Sequence, residues 1–354
     1  MSDILSVQNV NNAFLEFTTA CNLRCVYCPT SQPSYVSKTF PVERLESLIQ
    51  ELKLANTVQV HCGGHGETTI IKGWQNYCRQ IIQSGMGAVI TSNFAKEFSN
   101  EEIEVLSQMW HITVSCDTCN RRLFQELRHP ADLTTVLYNI TRVRAEGIKN
   151  GRSPVFILQC VVSDRSVFDL ENWVLFGIAA GIDKFSLGNL VEHKNQTAAK
   201  SIFSLSAADK VKAGECIAAA KQLAEKHGKT MYIQGSLLDS VNVDTHTESI
   251  DRRFGTVYNF VVKEGETRDC IEPWMQMYIQ VNGDVWPCCW YYDSKIGNIH
   301  DEPFHEIVNG DRVRQLRAEL LSGQLGKNCL QCPAMRLTTV EELKQRVLNR
   351  PVWK

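Results

Sequence analysis

Three cysteines, Cys21, Cys25 and Cys28, follow an apolar, strand-like run at a C-x3-C-x2-C spacing. A short loop with three thiolates can hold three corners of an iron–sulfur cube and leave the fourth iron open. An open iron can bind a ligand and pass it one electron. Zinc is the competing reading, but structural zinc sites want four ligands, usually as paired C-x2-C units, and no nearby histidine makes a fourth. A second set lies downstream: Cys270, twelve residues, Gly283, four residues and Cys288, then the pair Cys329-x2-Cys332. A hairpin between Cys270 and Cys288 would bring both to one place, and the C-x2-C loop would close a four-thiolate site. Spacing alone leaves zinc open for this set. Cys289 adjoins Cys288, so either could be the ligand; Cys288 keeps the x4 spacing.

The wider chain suits such chemistry. Fourteen cysteines in 354 residues is a high count, and the N-terminus shows neither a basic n-region nor a long apolar h-region. In a reducing compartment thiols serve metals or redox work rather than disulfides, so the expected location is cytoplasmic. A net charge of −2 gives no reason to expect nucleic acid or an anionic membrane as a partner. The longest apolar run, around Val174 to Ile182, is too short to span a bilayer.

Several elements must position these residues. Strand patterns at 13–20, 57–62, 87–91, 111–115, 154–162 and 184–187 alternate with helical ones at 42–54, 74–84, 133–146, 170–181 and 207–226. That alternation argues for an α/β fold of βα units around a parallel sheet, in which ligands sit at the carboxyl ends of the strands. The cysteine loop, the turn Gly63-Gly64-His65-Gly66-Glu67, Ser92-Asn93 and Ser115 to Asp117 all fall there. The expected partition is a barrel over 1–235, an irregular connecting segment over 236–268, a cluster-binding domain over 269–335 and a terminal helix over 336–354. Met277 to Val281 and Asp284 to Trp286, joined through Asn282-Gly283, read as a β-hairpin.

With Tyr27 as the aromatic, C-x3-C-x-Φ-C resembles the signature of radical S-adenosylmethionine enzymes. Gly64-His65-Gly66-Glu67 resembles that family's GGEP turn, with Thr68 where proline usually stands. The resemblance covers roughly residues 13–230. It implies a partial (β/α)6 TIM-like barrel whose open iron binds S-adenosylmethionine and yields a 5′-deoxyadenosyl radical. By position it assigns Tyr27 to the adenine, Glu67 to the methionine ammonium beside Gly64 and Gly66, and Arg128 to the methionine carboxylate. Asn93, Ser115, Asp117 and Gln159 go to the ribose or methionine. The downstream cysteines resemble the twitch form of the SPASM domain, a hairpin plus helix, which implies a second [4Fe–4S] cluster on Cys270, Cys288, Cys329 and Cys332.

The reaction expected is hydrogen abstraction from a carbohydrate-like or aminocyclitol small molecule, ending in epimerisation. Cys119 and Cys289 are the candidate hydrogen donors, and His65 is a candidate base or substrate contact. Trp290, Tyr291, Tyr292 and Asp293 are candidates to line the substrate cavity. The alternatives are dehydrogenation of an alcohol with the second cluster as electron acceptor, maturation of a ribosomally made peptide, and a non-enzymatic iron–sulfur or zinc protein. The resemblance also implies a flavodoxin or ferredoxin as electron donor.

Overall fold

The computed structural model describes residues 3–192, 198–234, 237, 247–251, 255–259, 261–289, 295–332 and 335–351. Trp290 to Asp293 lie outside them. The strands that carry the chemistry are, in chain order, β1 (Asn12–Leu15), β2 (Gln59–Cys62), β3 (Gly87–Ser92), β4 (His111–Ser115), β5 (Val155–Val162), β6 (Lys184–Asn189), β7 (Thr230–Ile233), β8 (Gln276–Ile279), β9 (Asp284–Trp286) and β10 (Gly297–Asn298). The chain divides into two compact units, one of residues 1–20, 37–88 and 258–354, the other of 21–36 and 89–257.

In the first unit β1 pairs parallel with β2 on one side and with β8 on the other. β8 then runs antiparallel to β9, and β9 to β10. One face of the β1, β2 and β8 strands is core: Ala13, Leu15, Val60, Cys62, Met277 and Ile279 are all buried. The period of two turns Phe14, His61 and Tyr278 to the other face. There they stack as neighbours in register, with centroids at 4.5 Å for Phe14–His61 and 4.1 Å for Phe14–Tyr278.

In the second unit Val89–Ser92 of β3, then β4, β5, β6 and β7, run parallel in that order. Burial alternates along β4 and β5, so Cys116 and Cys160 sink into the core while Ser115 and Gln159, paired in register, share the opposite face. Trp173, on the helix Leu170–Ala179 that follows β5, donates its indole N–H to the Cys116 carbonyl at 2.8 Å and ties helix to sheet.

The structure departs from the sequence reading in places. The first strand stops at Leu15; beyond it Thr18 bridges Thr39 instead of extending a ladder. The first helix begins at Leu45, because Val42–Arg44 form a separate 3-10 turn after Pro41. Described parts of 236–268 are ordered into strands: Thr247–Asp251 pairs with Gly255–Asn259, and Glu266–Arg268 with Leu337–Thr339. Among the described residues no helix is long and apolar enough to cross a membrane.

Candidate active site

The cysteine loop belongs to the second unit. A two-residue strand, Arg24–Cys25, pairs antiparallel with Arg128–His129 and pins the loop's middle cysteine. Beneath it Val26 and Tyr27 pack on the buried Leu127, Leu190 and Ala199. The sulfurs are within electrostatic range of one another. Burial, and then the nearby Asp117, Cys28 and Cys21 against the pull of Arg128, push the Cys25 thiol up to about 12. Such a thiol becomes a thiolate when a metal takes the proton's place. Donors already point at the other two: Leu23 N lies 3.4 Å and Asn93 Nδ2 3.8 Å from Cys21 Sγ, and the Thr30 hydroxyl is 3.0 Å from Cys28 Sγ. Hydrogen bonds of this kind tune cluster thiolates. Three thiols on one loop, two of them already facing hydrogen-bond donors, are the donor chemistry that a three-thiolate cluster takes.

Tyr27, Asp117 and Arg128 meet one another. Tyr27 donates its hydroxyl proton to Asp117 Oδ2 at 2.5 Å. Arg128 grips the same carboxylate with Nε at 2.7 Å and Nη2 at 2.9 Å, and Val161 N adds a bond at 2.9 Å. Asp117 is 1 % exposed. A fork of this kind is directional and strong, and here it braces the cysteine loop from below. Burial raises the phenol and outweighs the opposing pull of Arg128, with Asp117 adding to the rise, so it stays protonated. Asn93 bridges to the loop through Asn22 Oδ1 at 2.8 Å. Cys119 is half-buried, its Sγ donating to Asp169 at 3.6 Å; burial first, then Asp169, pushes this thiol up to about 11.

The glycine turn belongs to the first unit. Gly66 lies against main chain: a Cβ there would stand 2.4 Å from the Ala20 carbonyl oxygen. Glu67 N donates to that same oxygen at 2.8 Å. Glu67 is buried, and its Oε1 accepts from Thr69 N at 3.1 Å and Thr69 Oγ1 at 2.7 Å, capping the 3-10 turn Thr68–Ile70. Thr68, in the place of a proline, bonds the Cys62 carbonyl through its hydroxyl at 3.2 Å and closes the turn another way. Gly64 is held clear by a side chain the sequence did not single out, Glu16. That carboxylate also accepts from His65 Nδ1 at 2.8 Å.

The downstream cysteines also lie in the first unit. Cys288 and Cys332 act on Cys270, and Cys332 acts on Cys329, so the four sulfurs form one neighbourhood. Burial is the larger cause and pushes the Cys329 thiol up to about 12. Arg268 belongs to no motif of the sequence. Buried at 1 % exposure, it donates to the carbonyls of Cys329 (2.7 Å), Leu330 (2.6 Å) and Met335 (2.9 Å) and so shapes the C-x2-C loop. Its charge stands among Cys332, Cys329 and Cys270. A cation there offsets the negative charge of a thiolate-ligated cluster. Cys289 is exposed; Cys332 and Glu272 act on it, as they do on Cys270, and the Tyr278 hydroxyl bonds to it. Burial pushes the Glu272 carboxyl up to about 7.

A βα fold with an open-cluster loop and a second cysteine set defines a cluster enzyme of the radical kind. Residues 15–171 match the radical SAM superfamily, and residues 270–333 match SPASM, an iron–sulfur cluster-binding domain. Residues 15–171 are a radical SAM domain and residues 270–333 a SPASM domain, and the cofactors of this pair are S-adenosylmethionine and [4Fe–4S] clusters. It is 24 % identical over 200 residues to a GTP 3′,8-cyclase of Pseudomonas fluorescens, covering 54 % of this chain and 58 % of that one. It is 27 % identical over 165 residues to a GTP 3′,8-cyclase of Synechocystis, covering 44 % and 48 %. The chain thus spans about half the length of the curated relatives it matches. Among solved structures, Streptococcus suis SuiB bound to S-adenosylmethionine superposes with a TM-score of 0.66 at 17 % identity, over 89 % of this chain and 69 % of that one. Native anSMEcpe with bound AdoMet gives 0.60 at 16 %, over 96 % of both. These two show a shared fold.

Proposed function

We propose that this enzyme removes a hydrogen atom from a carbohydrate-like or aminocyclitol substrate and returns one to the opposite face, giving the epimer. When bound, the Cys21–Cys25–Cys28 cluster and S-adenosylmethionine supply a carbon radical able to take hydrogen from an unactivated C–H bond. Asn93, Leu23 N and Thr30 orient the first set of thiolates, and Asp117 with Arg128 keeps their loop in place. Glu67 would accept from the methionine ammonium when S-adenosylmethionine is bound. Cys289 returns the hydrogen atom, and a flavodoxin or ferredoxin type donor supplies the electron that, with a proton, restores its thiol.

The exposure of Cys289 carries this reading. Cys62, Cys78, Cys116 and Cys160 are buried at 0 %, and Cys119 is committed to Asp169, whereas Cys289 stands exposed beside the second cysteine set. A donor of hydrogen must reach its substrate. The second set itself favours one other outcome, oxidation of an alcohol to a ketone with the auxiliary cluster taking the electron.

Anaerobic, reduced enzyme in heavy water, offered a panel of hexoses and aminocyclitols, separates these outcomes. We expect one deuterium in the product of the native enzyme. In Cys289→Ala that deuterium disappears while 5′-deoxyadenosine still forms, and in Cys119→Ala it persists. Unchanged incorporation in Cys289→Ala overturns the assignment. A product two hydrogens poorer, without deuterium, replaces epimerisation by dehydrogenation. A peptide substrate is the outcome if only peptides stimulate 5′-deoxyadenosine formation.

A further inference from the structure

Glu16 lies one residue beyond β1, and its carboxylate turns into the glycine loop that follows β2. Its Oε1 accepts two bonds from one residue, the His65 backbone N–H and the His65 ring Nδ1–H, each at 2.8 Å. Its Oε2 takes a longer one from Val281 N at 3.4 Å. The main chain holds it there, since Glu16 N donates to the Ile279 carbonyl at 2.9 Å. The space it occupies is made by a missing side chain. A Cβ on residue 64 would stand 2.4 Å from Glu16 Cγ and 2.5 Å from Oε1. Gly64 is thus required by the carboxylate as well as by any ligand near the turn. Glu16 is 5 % exposed, while the His65 side chain is 47 % exposed. The buried partner fixes, and the accessible partner is free to react.

The chemistry of the pair follows from donor and acceptor types. An ionised carboxylate only accepts, so the ring nitrogen facing it carries the proton. In the neutral ring that makes Nε2 the basic nitrogen. The electrostatics agree. Burial alone would raise the Glu16 carboxyl, but the bonds from His65 overcome it and hold the group below its ordinary range. The bond to Glu16 lifts His65 above its ordinary 6.5, with burial pulling partly back. Among the described residues, Glu16 is the charged group that acts on it. A group of this kind, with its charge balanced from behind, accepts and gives back a proton near neutral pH.

We propose that Glu16 and His65 form a carboxylate–imidazole dyad in which His65 Nε2 exchanges a proton with a substrate hydroxyl on the carbon that loses its hydrogen atom. This rests on the hydroxyl-bearing substrate class argued above. The substrate O–H bond breaks, an N–H bond forms on Nε2, and the oxygen keeps the electron pair. The imidazolium that results is compensated by the Glu16 carboxylate, and the proton returns to oxygen before product leaves. No electron is gained or lost in this step. An oxygen bearing that electron pair stabilises the carbon radical beside it, which is where the enzyme gains. Glu16 is a positioning residue; His65 meets the substrate.

The dyad can be read without turnover, on the anaerobically reconstituted full chain. Diethyl pyrocarbonate acylates neutral imidazole, so peptide-mapped modification of His65 against pH gives its midpoint. The native protein should show a midpoint above 6.5. Glu16→Gln, which keeps an acceptor oxygen but removes the charge, should lower it by about one pH unit. Glu16→Asp keeps the charge and should fall between the two; it serves if the Gln variant loses iron and so its fold. An identical midpoint in native and charge-free protein overturns the dyad. With a turned-over sugar or aminocyclitol, the acid limb of the rate profile should follow the same midpoints, and His65→Gln should lower the rate by about a hundred-fold or more. A limb that stays fixed while the midpoint moves overturns the proton role. If no such compound is turned over, the substrate reading fails and the hydroxyl half of the proposal with it. The midpoint shift would still decide the dyad.

Discussion

Arg268 and Asp117 hold the two cysteine loops by opposite means. Asp117 gathers three side-chain and one main-chain donor bonds onto one buried carboxylate. Arg268 spends its guanidinium on three main-chain carbonyls of the other loop. Replacing Arg268 by alanine leaves those carbonyls without that donor, at about 1–3 kcal/mol for each that stays dry. We therefore expect Arg268→Ala to lower the melting temperature and to halve the iron recovered on reconstitution, the first cluster being kept. Arg268→Lys should rescue only in part, because an ammonium lacks the planar fork. Native iron content in the alanine variant would remove Arg268 from this role. The cysteines were legible because their spacing is local. Arg268 and Glu16 were not, because a lone charged residue beside a cysteine or a strand has no pattern of its own. The family resemblance assigns Tyr27, Asp117 and Arg128 to ligand contacts by their position along the motifs. That they bond to each other is a property of three dimensions.

At the scale of elements the hairpin β8–β9 sets where Cys288 stands, two residues beyond the end of β9. Its turn depends on Gly283, at φ +83°. A Cβ there would meet His300 Cδ2 at 2.5 Å and Asn298 Oδ1 at 2.9 Å. Asn298 in turn donates to the Asn282 carbonyl at 3.1 Å and to Asp284 Oδ1 at 2.8 Å, knitting β10 to the turn. Gly283→Ala pays the left-handed backbone cost, about 1 kcal/mol, before any clash. The expected result is a lower melting temperature and less auxiliary iron, measured by iron analysis, with the Cys21 loop still loaded. Equal iron in both proteins would mean the turn does not place Cys288. Asn-Gly between two alternating runs made this hairpin readable in advance. Its parallel seam with β1 was not readable, since Asn12 pairs with Gln276 across most of the chain and Gln-Met-Tyr-Ile would serve an edge strand equally well. The strands Glu266–Arg268 and Leu337–Thr339 were missed for the same reason: each is three residues long, and each needs the other.

For the whole molecule, the question is whether the two thiolate sets are independent. They lie in different compact units, the first within 21–36 and 89–257, the second within 258–354. Each has its own buried clamp. Metal loading at one should therefore survive loss of the other. Anaerobic reconstitution should give about eight irons per chain, and about four after alanine replaces Cys21, Cys25 and Cys28 together, or Cys270, Cys329 and Cys332 together. Only the first replacement should abolish cleavage of S-adenosylmethionine, because only that set leaves an iron without a protein ligand. Cys288→Ala should behave like the second set, because Cys288 acts on Cys270, and Cys289→Ala, which removes an exposed thiol, should keep all its iron. One zinc with about four irons in the native protein would make the second set a structural zinc site. Electron transfer into it would then be impossible, the ketone-forming outcome would go, and the return of hydrogen by a thiol would be left as the way to close the reaction.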